Sequence, residues 1–240
     1  AMDVVRMGIV GSGYMGRTYA QCVAKHNEGV ELVAVSKGSR APRLASDYGI
    51  DHIPDYTAML ERDDIDAVLL ATPHHLHAEE TIAAAQHGKH VLVEKPMMTN
   101  VADCDAMIAA CKKANVKLSV IHTGRYRGVF KRAKDLIDEG LIGRVRMINL
   151  TTLWVGQQWR TAETRPDQED KPWLRPKPWT EEVTSGGDIS DRCSHSFDYL
   201  RFLTGEEAVT VFATVGSFTA AAWRAKSAMM QIHFSGCASA

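Results

Sequence analysis

The chain has 240 residues, 45% of them hydrophobic and 24% charged, with a formal net charge of -1. That length and balance suit one large or two modest globular domains. The near-neutral charge argues against a nucleic-acid surface, and no apolar run reaches the roughly 18 residues of a membrane span.

The cysteines, Cys22, Cys104, Cys111, Cys193 and Cys237, form no CxxC pair. Scattered in this way they read as free thiols in a reducing cytoplasm, and no metal site is expected. Ala1 before Met2 reads as a residue left by tag cleavage, and Ala1 to Arg6 lacks the regions of a signal peptide.

Along the chain, Val5–Val10, Glu31–Val35, Ala67–Ala71, His90–Val93 and Lys117–Ile121 are short apolar runs that predict strands. Met15–His26, His77–His87 and Val101–Ala114, lying between them, predict amphipathic helices. Strands alternating with helices imply parallel pairing through right-handed crossovers, hence a doubly wound α/β sheet over residues 1–122. The pattern then changes. Phe130–Glu139 predicts a helix and Arg144–Leu153 a strand. A polar segment, Gly156–Thr184, carries Trp159, Trp173 and Trp179 with four prolines, and reads as an ordered loop or a surface excursion. Ile189–Leu203 predicts a helix, and Val209–Thr219 and Ala225–Phe234 predict antiparallel strands. Residues 123–240 therefore read as an α+β domain with a largely antiparallel sheet. Because the chain stops directly after a strand, either this domain is small or a further C-terminal portion follows, the second being the favoured expectation.

Gly11-Ser-Gly13-Tyr14-Met15-Gly16 follows the first strand and opens the first helix. In that context the glycines allow a tight turn, close backbone approach to a pyrophosphate, and close packing of helix on strand. The helix N-terminus attracts the phosphates. The end of the second strand lacks the carboxylate that holds an adenosine ribose in NAD enzymes. It carries Ser36, Lys37, Ser39 and Arg40 instead, which favours a 2′-phosphate and so NADP over NAD. Alternatively Lys37 and Arg40 are solvated loop charges, and Ser36 accepts either cofactor.

Three further segments complete a set: Ala71-Thr72-Pro73-His74-His75-Leu76-His77, Glu94-Lys95-Pro96, and Gly186 to Asp198 with its Asp191-x-x-x-His195 spacing. Together with the glycine motif, these resemble the glucose–fructose oxidoreductase and inositol 2-dehydrogenase (Gfo/Idh/MocA) family, in order and over nearly the whole chain. The resemblance implies that Lys95 lies near the nicotinamide and contacts a substrate hydroxyl. It maps catalytic roles onto Asp191 and His195, which share a helix face at four-residue spacing. It places Glu94, Thr72, Pro73 and His77 around the cofactor, with a capping or core role as the alternative for His77. Arg125 matches a junction arginine that reaches the substrate or forms an interdomain salt bridge. His74 and Gly128 depart from the frequent asparagine and proline. Asp198 reads as structural, and the tryptophans as packing anchors or sugar-stacking faces.

The chemistry agrees with those roles. A histidine can take a hydroxyl proton near neutral pH while a lysine stabilises the charge that develops. The resemblance implies a dehydrogenase acting on a small polyhydroxylated substrate (a cyclitol, sugar or sugar acid), with its active site in an interdomain cleft. It also implies a homodimer or homotetramer. Two alternatives stand beside it: a non-catalytic metabolite sensor, and a glycosidase that uses its nicotinamide only transiently.

Overall fold

The computed structural model describes residues 4–26, 28–151, 187–216 and 227–235. The described residues fall into two compact units that part between Ile121 and His122.

In the first unit, strands β1 (Val5–Val10), β2 (Val30–Ser36), β3 (Asp51–His52), β4 (Ala67–Leu70), β5 (His90–Glu94) and β6 (Leu118–Ile121) form one sheet in the order β3-β2-β1-β4-β5-β6. Every pair is parallel. Five helices connect them: α1 (Tyr14–His26), α2 (Ala41–Tyr48), α3 (Tyr56–Leu60), α4 (His77–Gln86) and α5 (Val101–Lys113). Strand order reverses between β1 and β4, the switch point where open α/β sheets bind ligands.

Local chemistry sets the helix ends. Lys25 and His26 lie in the last turn of α1, where cations oppose the carbonyl end of the dipole. Pro42 sits in the first turn of α2, and Gly49 closes that helix at φ 65. Asp55 accepts from the Thr57 N–H at 2.9 Å and Asn100 from the Asp103 N–H at 2.9 Å, capping α3 and α5.

The core lies on both faces of β4, all four residues of which are buried. Val68 and Leu70 pack among Val10, Met59, Ile65, Val93 and Met107, while Ala67 and Leu69 pack with Met7. Burying a side chain such as Leu70 contributes about 1.5–3 kcal/mol. Register aligns the strand ends, with Val10 opposite both Ser36 and Leu70, and Leu70 opposite Val93. The loops after β1, β2, β4 and β5 therefore leave the sheet from one edge.

The second unit contains α6 (Gly128–Asp138) and α7 (Gly187–Thr204), with β7 (Ala208–Gly216) antiparallel to β8 (Ser227–Phe234). Tyr199 of α7 stacks on Phe130 of α6 with ring centroids 4.1 Å apart. The strand expected from Arg144 is absent from residues 144–151. Val145 and Met147 alternate but Ile148 and Leu150 fall in the opposite phase, no neighbouring strand pairs with the segment among the described residues, and Met147 is 85% exposed. A short apolar run without a ladder partner does not make a strand. The Gly156–Thr184 loop and its tryptophans lie outside the described residues, as does Cys237.

Candidate cofactor-binding and active site

The glycine turn after β1 shows three different steric requirements. Gly11 has φ +104, and a Cβ there would lie 2.6 Å from the Ala71 carbonyl oxygen. Its N–H donates to the Ser36 carbonyl at 2.8 Å, joining the turn to the end of β2. A Cβ on Gly16 would overlap the Gly11 carbonyl, so that glycine lets α1 lie against the turn. At Gly13, by contrast, nothing lies within 4 Å of where a Cβ would stand. The backbone is open there, beside the N-terminus of α1 with Tyr14 and Met15, as the approach of a pyrophosphate requires. The residues present fit a dinucleotide.

At the end of β2, Ser36 is fully buried and its hydroxyl has no hydrogen-bond partner among the described residues. Lys37 adopts φ 61 and turns inward, its Nζ 2.8 Å from Glu80 Oε1 and 5.0 Å from the Tyr56 ring centroid. Glu80, on α4, is 1% exposed. Its second carboxylate oxygen accepts from the Thr72 hydroxyl, and its backbone carbonyl accepts from the Tyr56 hydroxyl at 2.8 Å. Burial pushes the Glu80 carboxyl above its ordinary range, against the opposing pull of Lys37 and Thr72. Arg40 precedes α2, partly buried.

The loops after β4 and β5 are tied together by His77, which is fully buried. Its Nε2 lies 3.1 Å from the Thr72 carbonyl, and its Nδ1 lies 3.2 Å from both the Pro96 and Met97 carbonyls. Burial lowers its tendency to hold a second proton. Thr72 and His74 are buried beside it, and Pro73 is half-buried. Glu94 is 8% exposed and accepts from the Tyr19 hydroxyl of α1, while Lys95, next in the chain, is half-buried. Burial and the Glu94 charge raise the Tyr19 phenol well above its usual range.

In the second unit, Asp191 and His195 lie one turn apart on α7, Asp191 being 3% exposed and His195 half-buried. The ring of His122 stands edge-on to His195 at 6.1 Å, and Tyr199 stacks against His195 at 6.3 Å. Arg125 donates through Nε to Asp198 Oδ2 at 3.1 Å and forms a second bond to Oδ1, with its guanidinium 5.5 Å from the Phe202 ring. That pair lies within the second unit. Sequence reading marked neither His122, Glu80 nor Tyr19. His122 directly follows β6 and so had a positional signal, whereas Glu80 and Tyr19 contribute through contacts across the fold. Among the described residues, no group of acidic, histidine and cysteine side chains could hold a metal ion.

Residues 5–122 match the model of an oxidoreductase family with an NAD-binding Rossmann fold, and residues 130–240 match the GFO/IDH/MocA C-terminal domain. An inositol 2-dehydrogenase of Rhizobium meliloti is 32% identical over 212 residues, 88% of this chain and 58% of that protein. A 2,7-anhydro-N-acetylneuraminate hydratase of Mediterraneibacter gnavus is 35% identical over 144 residues, 60% of this chain and 38% of that protein. Among solved structures, the WlbA dehydrogenase of Bordetella pertussis in complex with NADH and UDP-GlcNAcA superposes with a TM-score of 0.81. It is 26% identical, covering 97% of this chain and 64% of its own. The chain spans little more than half the length of the curated relatives that it matches over most of its residues.

Proposed function

The chain belongs to the GFO/IDH/MocA oxidoreductase family, and from that premise we propose that it transfers a hydride between a nicotinamide dinucleotide and a secondary hydroxyl of a cyclitol, sugar or sugar derivative. The observation that carries the reading is the open backbone position at Gly13, at the switch point of the sheet and the start of α1. Bound there, the cofactor supplies the hydride acceptor or donor. The remaining chemistry belongs to the protein. His195 takes the proton from the substrate hydroxyl on oxidation and returns it on reduction. Asp191 orients His195 or accepts from a neighbouring substrate hydroxyl. Lys95 positions the reacting oxygen and stabilises negative charge on it. NADP is favoured over NAD by Arg40 and the hydroxyls after β2. Relatives named inositol 2-dehydrogenase support the substrate class.

A homodimer or homotetramer is part of this reading. Val209, Val211, Phe212 and Val215 of β7 are each more than half exposed, with Val211 and Val215 on one face of the strand and Phe212 on the other, apolar area that suits self-association. No described helix is long and apolar enough to cross a membrane.

A second reading has one specific support, the similarity to a hydratase. Adding or removing water changes no net oxidation state, so any hydride taken up would be returned within the same turnover. The test is to supply NAD and NADP separately with a panel of cyclitols, sugars and sugar acids. Substrate-dependent formation of reduced nicotinamide supports the dehydrogenase, and Lys95→Ala or His195→Ala should lower it by about 10²–10⁴-fold with the fold retained. Conversion of a substrate without reduced nicotinamide supports the second reading. Full activity in correctly folded Lys95→Ala and His195→Ala proteins would sink the assigned roles.

A further inference from the structure

We propose that Glu80 sets how strongly the domain prefers a 2′-phosphorylated dinucleotide, by holding the Lys37 ammonium away from that phosphate. The inference rests on the nicotinamide reading and deepens it.

Lys37 stands at the end of β2, about 20 residues beyond the glycine motif, where Rossmann domains place the side chain that reads the 2′ position of the adenosine ribose. By sequence alone it is either a phosphate ligand or a solvated loop charge. In the fold its backbone is left-handed, at φ 61, and its ammonium lies 2.8 Å from Glu80 and above the Tyr56 ring. Three other parts of the structure fix that position. Tyr56 comes from α3, Glu80 from α4, and the Thr72 hydroxyl that occupies the second Glu80 oxygen comes from the loop after β4.

The charge balance decides which anion holds Lys37. Glu80 is 1% exposed, whereas the Lys37 side chain is 32% exposed. A carboxylate buried to that degree is stable as an anion only with a counter-charge, and removing the partner of such a pair is strongly destabilising. Swinging Lys37 out to a phosphate would leave Glu80 in that position. A 2′-phosphate and Glu80 therefore compete for one ammonium, and Glu80 is bonded to it already. Recognition of the phosphate falls to Arg40 and the hydroxyl of Ser39, and Glu80 limits the preference for NADP.

Binding of NADH and NADPH to the whole chain, followed by nicotinamide fluorescence, tests this without any substrate. Lys37→Gln, which keeps a donor for Glu80, should change the ratio of the two dissociation constants by less than about threefold. Glu80→Gln keeps the shape and removes the charge. It should shift the ratio toward NADPH by about tenfold, the scale of one charge-assisted hydrogen bond, and adding Lys37→Gln should reverse that shift. A tenfold loss of NADPH affinity in Lys37→Gln alone would overturn the inference. So would an unchanged ratio, or a shift toward NADH, in Glu80→Gln. Should Glu80→Gln not fold, the Lys37→Gln result decides. Failure of both dinucleotides to bind the unsubstituted chain overturns the cofactor reading itself, a result distinct from an altered ratio.

Discussion

Asp66 shows how a single polar residue serves the fold away from the site. It stands just before β4 and accepts from the Arg6 backbone N–H at 2.8 Å and from Arg6 Nε at 3.0 Å. The Arg6 guanidinium holds its carboxyl down at about 2. A depressed carboxylate stabilises the fold above its unfolded value and loses that contribution as pH falls through the folded value. The melting temperature should therefore fall between about pH 4 and pH 2 more steeply in the unsubstituted protein than in Asp66→Asn. Both side chains are more than a third exposed, so solvent screening limits the difference to roughly 2 °C. Parallel curves would show that the pair contributes nothing.

At the same scale, motif and spacing marked Gly11, Gly13, Gly16, Lys95, Asp191 and His195, and the structure places the three glycines at the passage from β1 into α1. What sequence did not show was where long side chains point. Lys37 reads as a phosphate ligand or a solvated charge because its partner, Glu80, is distant in sequence. Arg125 pairs with Asp198, 73 residues on and within the same unit, a contact that motif and spacing did not name.

Among the elements, the glycine turn divides into positions that serve the fold and one that serves the ligand. Gly16→Ala should force α1 off the Gly11 carbonyl and cost about 1–3 kcal/mol, read as a lower denaturation midpoint. Gly13→Ala meets no protein atom within 4 Å, so its melting temperature should stay within about 2 °C. Dinucleotide affinity should nevertheless fall by about tenfold or more, because the added methyl enters the space the pyrophosphate approaches. Equal destabilisation by both substitutions would contradict this division. In the second unit, a Cβ on Gly124 would overlap the Tyr199 ring, which is already stacked on Phe130. Gly124→Ala should cost about 1–3 kcal/mol, and less in a Tyr199→Leu background, as measured by a double-mutant cycle in urea. An additive cycle would exclude the Tyr199 clash as the cause.

Long apolar runs and helices were legible to within a few residues. Short elements were not. α2, α3 and β3 were not marked, since β3 has two residues and α3 five, too few to display a period. Arg144–Leu153 failed for another reason: it is long enough and apolar enough to read as a strand, but residues 144–151 have no ladder partner among the described residues.

For the molecule as a whole, the change from regular alternation to an irregular order near residue 122 reflects two kinds of packing. The parallel sheet is covered on both faces and buries β4 completely, whereas β7 is exposed along its whole length. Charge and composition bear on broad class alone, whereas choice of substrate depends on pocket shape, to which composition is blind. The order of the β1, β4 and β5 loops at one sheet edge is the whole-molecule feature that supports nicotinamide chemistry.

That chemistry is tested most directly by following the hydrogen itself. The protein would be incubated with oxidised nicotinamide cofactor and cyclitols or sugars deuterated at their carbinol carbons, and the recovered cofactor analysed by mass spectrometry. Direct transfer predicts reduced nicotinamide carrying one deuterium from the substrate carbon, formed about 10²–10⁴-fold more slowly in His195→Ala. Turnover of a substrate with no deuterium ever appearing on the nicotinamide would contradict the account.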